Sequence, residues 1–216
     1  MKKLTVILLI SGFTLAAACS SGPSLRTVKP IDYEKRMLVA VSDIQNLTGN
    51  KDYDPLMEGL TGGLMAELHE VSCFRVIERQ RLTSILEEIE LSMAGLTDPA
   101  NAREVGKMAG AEAILFVNLV AVKYSSEKAS AGISEVTTER VETTMDARLV
   151  TVKTEETRAV SRISIPATNR YINSLFSKVG GKADQKVIAQ IVQKNLEKSI
   201  EYLVREVAWQ VSKKSR

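Results

Sequence analysis

A chain of 216 residues with 44% hydrophobic and 25% charged residues has the make-up of an ordinary globular protein of about one domain. Its formal charge of +3 includes Lys2 and Lys3 of the leading segment; without them about +1 remains, too little to argue for a nucleic-acid partner. A single histidine leaves zinc sites and histidine-based nucleophile arrangements without their parts, so neither an enzyme nor a metal cofactor is expected.

The start Met1-Lys2-Lys3, the apolar stretch Leu4 to Ala18 and the small residues before Cys19 predict a signal peptide over residues 1–18 rather than a membrane-spanning helix. Cysteine after Leu15-Ala16-Ala17-Ala18 resembles the lipobox of bacterial lipoproteins. That resemblance implies acylation of Cys19, and Ser20 behind it implies sorting to the outer membrane. Several acyl chains give stable anchoring, since each buried CH₂ contributes about 0.8 kcal/mol and one chain alone is marginal. With Cys19 acylated no intramolecular disulfide is possible, and Cys73 reads as a small buried apolar residue. Residues 19–35, broken by Pro23 and Pro30, predict a flexible tether with an extended reach of about 50 Å. The folded domain then occupies 36–216.

Met37 to Asp43 predicts a buried strand, closed by the Asn46 to Asn50 loop. Pro55 opens a helix with Leu56, Leu60, Leu64, Leu68 and Val71 on one stripe. Gly62 and Gly63 weaken it by about 1 kcal/mol each. Close approach to its own sheet is the expected reason, with contact to another subunit as the alternative. Phe74 to Arg79 reads as a second strand, followed by helices over Gln80 to Leu91 and Pro99 to Ala109, the latter capped by Asp98 and Gly110. Ala113 to Val122 makes the third strand. Alternation of this kind predicts an α/β fold: a mixed, mostly parallel sheet flanked by helices. An antiparallel β-rich extension follows, with Tyr124 to Val141 a long solvated hairpin, Thr143 to Val152 the returning strand and Arg158 to Ile165 its antiparallel neighbour. A long C-terminal helix from Asp184 to about Ser212 keeps one apolar stripe and covers the sheet; Trp209 near its end is expected to pack in the core.

Several segments together resemble the CsgG/HfaB family of outer-membrane lipoproteins. They are Val39-Ala40-Val41-Ser42-Asp43 with Asn46 and Thr48-Gly49, Phe74 to Arg79 leading to Leu82, Val105-Gly106-Lys107, Gly110 to Ile114, and Ala147 to Val152. The resemblance covers Met37 to Val152 and implies an oligomerising α/β periplasmic domain with cell-envelope or secreted protein partners. Asn118 stands where that family is expected to carry glycine, and Glu155-Glu156 replaces its glycine turn.

A pore of that family needs β-hairpins with one apolar face, each strand about 9 to 11 residues long. Between Leu119 and Leu149, strict alternation puts Lys123, Glu127, Glu135 and Glu139 on one face and Lys128, Arg140, Glu142 and Asp146 on the other. From Ala159 to Val179 the odd-numbered face, including Ile163, Ile165, Tyr171 and Leu175, is uncharged, but Pro166 interrupts it. The expected function is therefore a non-catalytic, lipid-anchored assembly or scaffold component. A secretion-channel protomer and a lipoprotein activator of a cell-wall synthase are the alternatives. Asp43, Asn46, Glu78 and Arg79, at the ends of predicted parallel strands, form a possible polar cleft.

Overall fold

A computed structural model describes residues 25–88, 98–131, 134–174 and 185–214. The first strand, β1 (Met37–Val41), is followed by a two-residue strand, β2 (Gln45–Asn46), and helix α1 (Asp54–Glu70). Next come β3 (Phe74–Val76), α2 (Arg79–Glu88) and α3 (Pro99–Ala109). Three long strands, β4 (Ala113–Ala131), β5 (Ser134–Thr151) and β6 (Thr157–Ser174), lead to α4 (Gln185–Lys214). Both shorter helices start close to their sequence signals. Asp98 accepts from the N–H groups of Ala100 at 2.9 Å and Asn101 at 3.3 Å, and Gly110 takes the left-handed C-cap at φ 73°. The second strand stops at Val76, two residues short of Glu78, and the last residues of the predicted second helix lie outside the described part.

The six strands form one open sheet ordered β3-β1-β4-β5-β6, with β2 beside β1 against β4. β1 pairs in parallel with β3 and β4, as does β2 with β4, whereas β4–β5–β6 is an antiparallel meander. Strand residues alternate between two helical layers. Val39, Leu115, Met145 and Leu149 pack with α1 and α4, while Ala40, Ile114 and Phe116 pack with α2 and α3. Leu64, Leu68 and Leu196 are almost wholly removed from solvent in the first layer, as are Leu82 and Leu86 in the second.

One residue reverses this alternation halfway along β4. Leu119 faces Met145 and Ala121 faces Thr144, so Val120 is an extra residue in the ladder, a β-bulge. Beyond it Val122, not Lys123, continues the face packed under α4. The face assignment from strict alternation is thereby corrected: Glu127 shares a face with Arg140, 3.9 Å away, and the Tyr124 hydroxyl donates to Glu139 at 2.9 Å.

Two attachments bind the periphery. At β6, the Gln210 side chain donates to the Val160 carbonyl at 2.9 Å and accepts from its N–H at 3.2 Å, as a neighbouring strand would. At the N-terminal side, residues 25–36 lie along the body. Val28 and Ile31 pack on the first core layer, the Ile31 N–H donates to the Ser72 carbonyl at 3.1 Å, and Arg26 pairs with Glu206 at 3.0 Å.

Candidate functional site

The predicted polar cleft is divided between two local tasks. Asp43, just beyond β1, and Arg79, at the start of α2, meet in an ion pair at 2.5 Å, with side chains 39% and 40% exposed. Asn46 turns to its own loop: its oxygen accepts from the N–H and hydroxyl of Thr48, and its amide donates to the Asn50 carbonyl and, at 2.6 Å, to Asp54. That network fixes the entry to α1. Glu78 is exposed, and its carbonyl accepts the N–H groups of Arg81 and Leu82 that begin α2. An ion pair this open to water contributes about 0–1 kcal/mol. Arg79→Ala is therefore expected to lower stability by no more than about 1 kcal/mol, measured by urea unfolding; a larger loss would make the pair a structural pin of the β1–α2 junction.

Ile163 and Ile165 of the candidate membrane hairpin belong to the sheet face beneath α4. Ile165 is buried, and its carbonyl accepts from the Asn195 amide at 2.6 Å. Tyr171 stands opposite Thr137 in the β5–β6 ladder. Leu175 and Cys19 lie outside the described residues. Cys73 is buried with its thiol 3.6 Å from the Lys29 carbonyl; burial pushes its pKa up, and Arg36 offsets part of that rise. His69 is exposed near the end of α1. Among the described residues no group of three metal-ligating side chains occurs, and no helix is long and apolar enough to cross a membrane.

Two features escaped sequence reading. The first is a groove of about 510 Å³ between α1 and α4. Leu56, Leu60 and Ile200 give it apolar carbon, Gly59, Gly63 and Ala66 form its α1 wall, and Gln193 and Glu197 its α4 side. Gly62 and Gly63 do not approach their own sheet: a Cβ built on Gly59, Gly62 or Gly63 would have no neighbouring atom within 4 Å. The glycines sit on the outer face of α1 because Leu60, Leu64 and Leu68 already fill the inner one. At the lower end of this groove Glu67 has its pKa raised, chiefly by burial and then by the Glu201 and Glu70 charges, with Arg205 pulling the other way. Pattern reading saw the glycines, but only the helix's rotation told which way they face.

The second feature is a polar ladder on the sheet face opposite α4. Asn118, Asp146 and Arg162 stand side by side in register; the Asn118 amide donates to Asp146 at 2.8 Å and Arg162 reaches its other oxygen at 3.0 Å. The unexpected asparagine is thus the first rung of a three-strand contact. Glu155 likewise adopts the glycine-like conformation of the turn it occupies, at φ 61°, and is held by an ion pair with Arg103 and by its N–H on the Thr151 carbonyl. Trp209 is not a core residue: it is half-buried on α4 between Arg26, 4.7 Å from the ring centre, and Lys213, at 5.1 Å. The buried stripe of α4 is taken by Leu203, Val207 and Val211, which leaves position 209 on the opposite side.

These observations define a three-layer α/β protein whose distinctive surfaces are a helix–helix groove and a long antiparallel ribbon. The family described as "Curli production assembly/transport component CsgG" matches residues 24–215, nearly the whole chain, and the chain belongs to that family. No curated protein matches it in sequence. Among solved structures, a putative neuraminyllactose-binding hemagglutinin homolog from Helicobacter pylori aligns at 14% identity and TM-score 0.52, covering 89% of this chain and 95% of that one. The C-terminal domain of LpoB from Escherichia coli aligns at 16% identity and TM-score 0.45, over 60% of this chain and 82% of its own. A PelC dodecamer subunit from Paraburkholderia phytofirmans aligns at 15% identity and TM-score 0.36, over 86% and 99%. At these identities the first likeness concerns the fold alone.

Proposed function

We propose that the protein is a lipoprotein anchored through Cys19 to the outer membrane, with its α/β domain in the periplasm, and that it works without catalysis as an oligomerising scaffold for export or attachment of surface structures. Membership of the CsgG family supports the setting. The observation that carries the scaffold role is the glycine wall of α1, where an added Cβ would have no neighbour within 4 Å. Each helical glycine costs about 1 kcal/mol relative to alanine, and its benefit is close approach of a second backbone. A neighbouring copy is the surface that uses it.

Gly63→Leu tests this. A Cβ at this position meets no atom within 4 Å in the isolated domain, and a folded monomer, checked by circular dichroism, is expected of the variant. It is expected to sediment as a smaller species than the parent when the full-length protein is extracted in mild detergent. An unchanged assembly would remove the groove from the oligomer contact, and a parent that is monomeric in detergent would remove the scaffold role itself.

The channel alternative draws support from strand length, since β4 has 19 residues and β5 and β6 have 18 each, well beyond the body of the sheet. Strand chemistry weighs the other way. With the bulge in place, one ribbon face carries Lys123, Glu127, Arg140 and Glu142 and the other Lys128 and Glu139, and a charge near the bilayer midplane costs about 2–4 kcal/mol for Arg or Lys.

A further inference from the structure

We propose that the outer crest of α4 rests on the anionic phospholipid surface to which the chain is tethered, so that the domain is held flat against the membrane through one defined face. The inference rests on the anchored-lipoprotein reading and adds the orientation. Two independent observations carry it. One is where the tether leaves the body. Because residues 25–36 are fastened along it, through Ile31 to Ser72, Cys73 to the Lys29 carbonyl and Arg26 to Glu206, only the six residues from Ser20 to Leu25 separate Cys19 from the domain. Fully extended they reach about 20 Å, so the anchor lies close to the point where Arg26 covers Trp209.

The other is the chemistry of that point and of the helix running from it. Lys194, Lys198, Tyr202, Arg205, Trp209 and Lys213 recur at steps of three and four and so share one crest of α4. Over about 28 Å of helix this crest carries no carboxylate. Of the acids on its flanks, Glu201 pairs with Arg205 at 3.3 Å, Glu206 pairs with Arg26 at 3.0 Å, and Glu197 accepts from the Gln193 amide at 3.1 Å. Lys198 lies over the Tyr202 ring at 5.8 Å and Lys213 over Trp209 at 5.1 Å. Half-buried aromatic rings interleaved with cations suit the headgroup zone, where ring carbon meets the acyl boundary and ammonium groups meet phosphate. Leu25, 44% exposed, adds apolar surface beside the exit point.

Trp209 is the chain's sole tryptophan, so its fluorescence reports this face alone. The full-length acylated protein is reconstituted on vesicles of phosphatidylethanolamine and phosphatidylglycerol, with and without brominated acyl chains. The expected result is a blue-shifted emission that brominated lipid quenches, with less quenching for K194E/K198E/K213E and on vesicles of phosphatidylcholine alone. Protein that floats with the vesicles while its emission neither shifts nor is quenched would overturn the proposed face and leave the anchoring reading intact. Quenching that ignores the charge reversals would overturn the electrostatic contact. Protein that fails to float with the vesicles would remove the anchoring reading, and this inference with it.

Discussion

Leu196→Ala is expected to destabilise the protein by about 2–5 kcal/mol. Leu196 has no exposure and lies in the layer that joins α4 to the sheet, in the same cluster as Met145 and Leu149. Truncation there removes dispersion contacts on both the helix and the sheet side of that cluster. Because the total stability of a domain is about 5–15 kcal/mol, urea unfolding should show a clearly lower midpoint with little change in slope. A loss below about 1 kcal/mol would mean that α4 is not a structural layer but a cover that can be lifted, which would make the Ile163–Ile165 face available to lipid.

Gly106→Ala is expected to cost about 1–3 kcal/mol by overpacking. A Cβ at Gly106 would stand 2.6 Å from one Val152 methyl, 3.3 Å from the other and 3.2 Å from Ile114 Cδ1. Valine's stiff χ1 cannot swing both methyls away, so α3 has to rise from the sheet. The same substitution at Gly63 meets nothing within 4 Å and should raise the stability of the isolated domain by up to about 1 kcal/mol through lower unfolded-chain entropy. Opposite signs for one chemical change on two helices, read from paired thermal melts, would establish that Gly106 serves the chain's own packing and Gly63 does not. Equal signs would refute the assignment of inner and outer faces.

These contrasts also explain what could be read from the sequence. Strand–helix alternation, the Asp98–Pro99 start, the Gly110 stop and the apolar stripe of α4 are local signals, each written within a few residues, and the architecture follows from them. Helix rotation and sheet register depend on distant partners. Gly62 and Gly63 looked like inward-packing residues because a glycine carries no mark of the face it occupies. Trp209 looked like core because its hydrophobic mass is visible in sequence and the Arg26 strap above it is not. Val120 is an ordinary strand residue by type, yet as the bulge it exchanges the two faces of everything between Ala121 and Ala131. In the candidate cleft, proximity of Asp43 and Arg79 followed from parallel strand ends, whereas the engagement of Asn46 with Asp54 depended on how its loop closes onto α1.

The clasp of Gln210 on Val160 bears on what kinds of multi-subunit architecture are open to this chain. An incoming strand at that edge would need the same N–H and carbonyl that the glutamine amide already occupies, and six residues on, Pro166 offers no N–H at all. A continuous intersubunit sheet, the geometry that grows into open-ended fibres, is therefore disfavoured along this stretch. Copies joined instead through the α1–α4 groove would meet at the crossing angle that ridges and grooves impose on packed helices, and the number of subunits that closes a ring would follow from that angle rather than from β-twist.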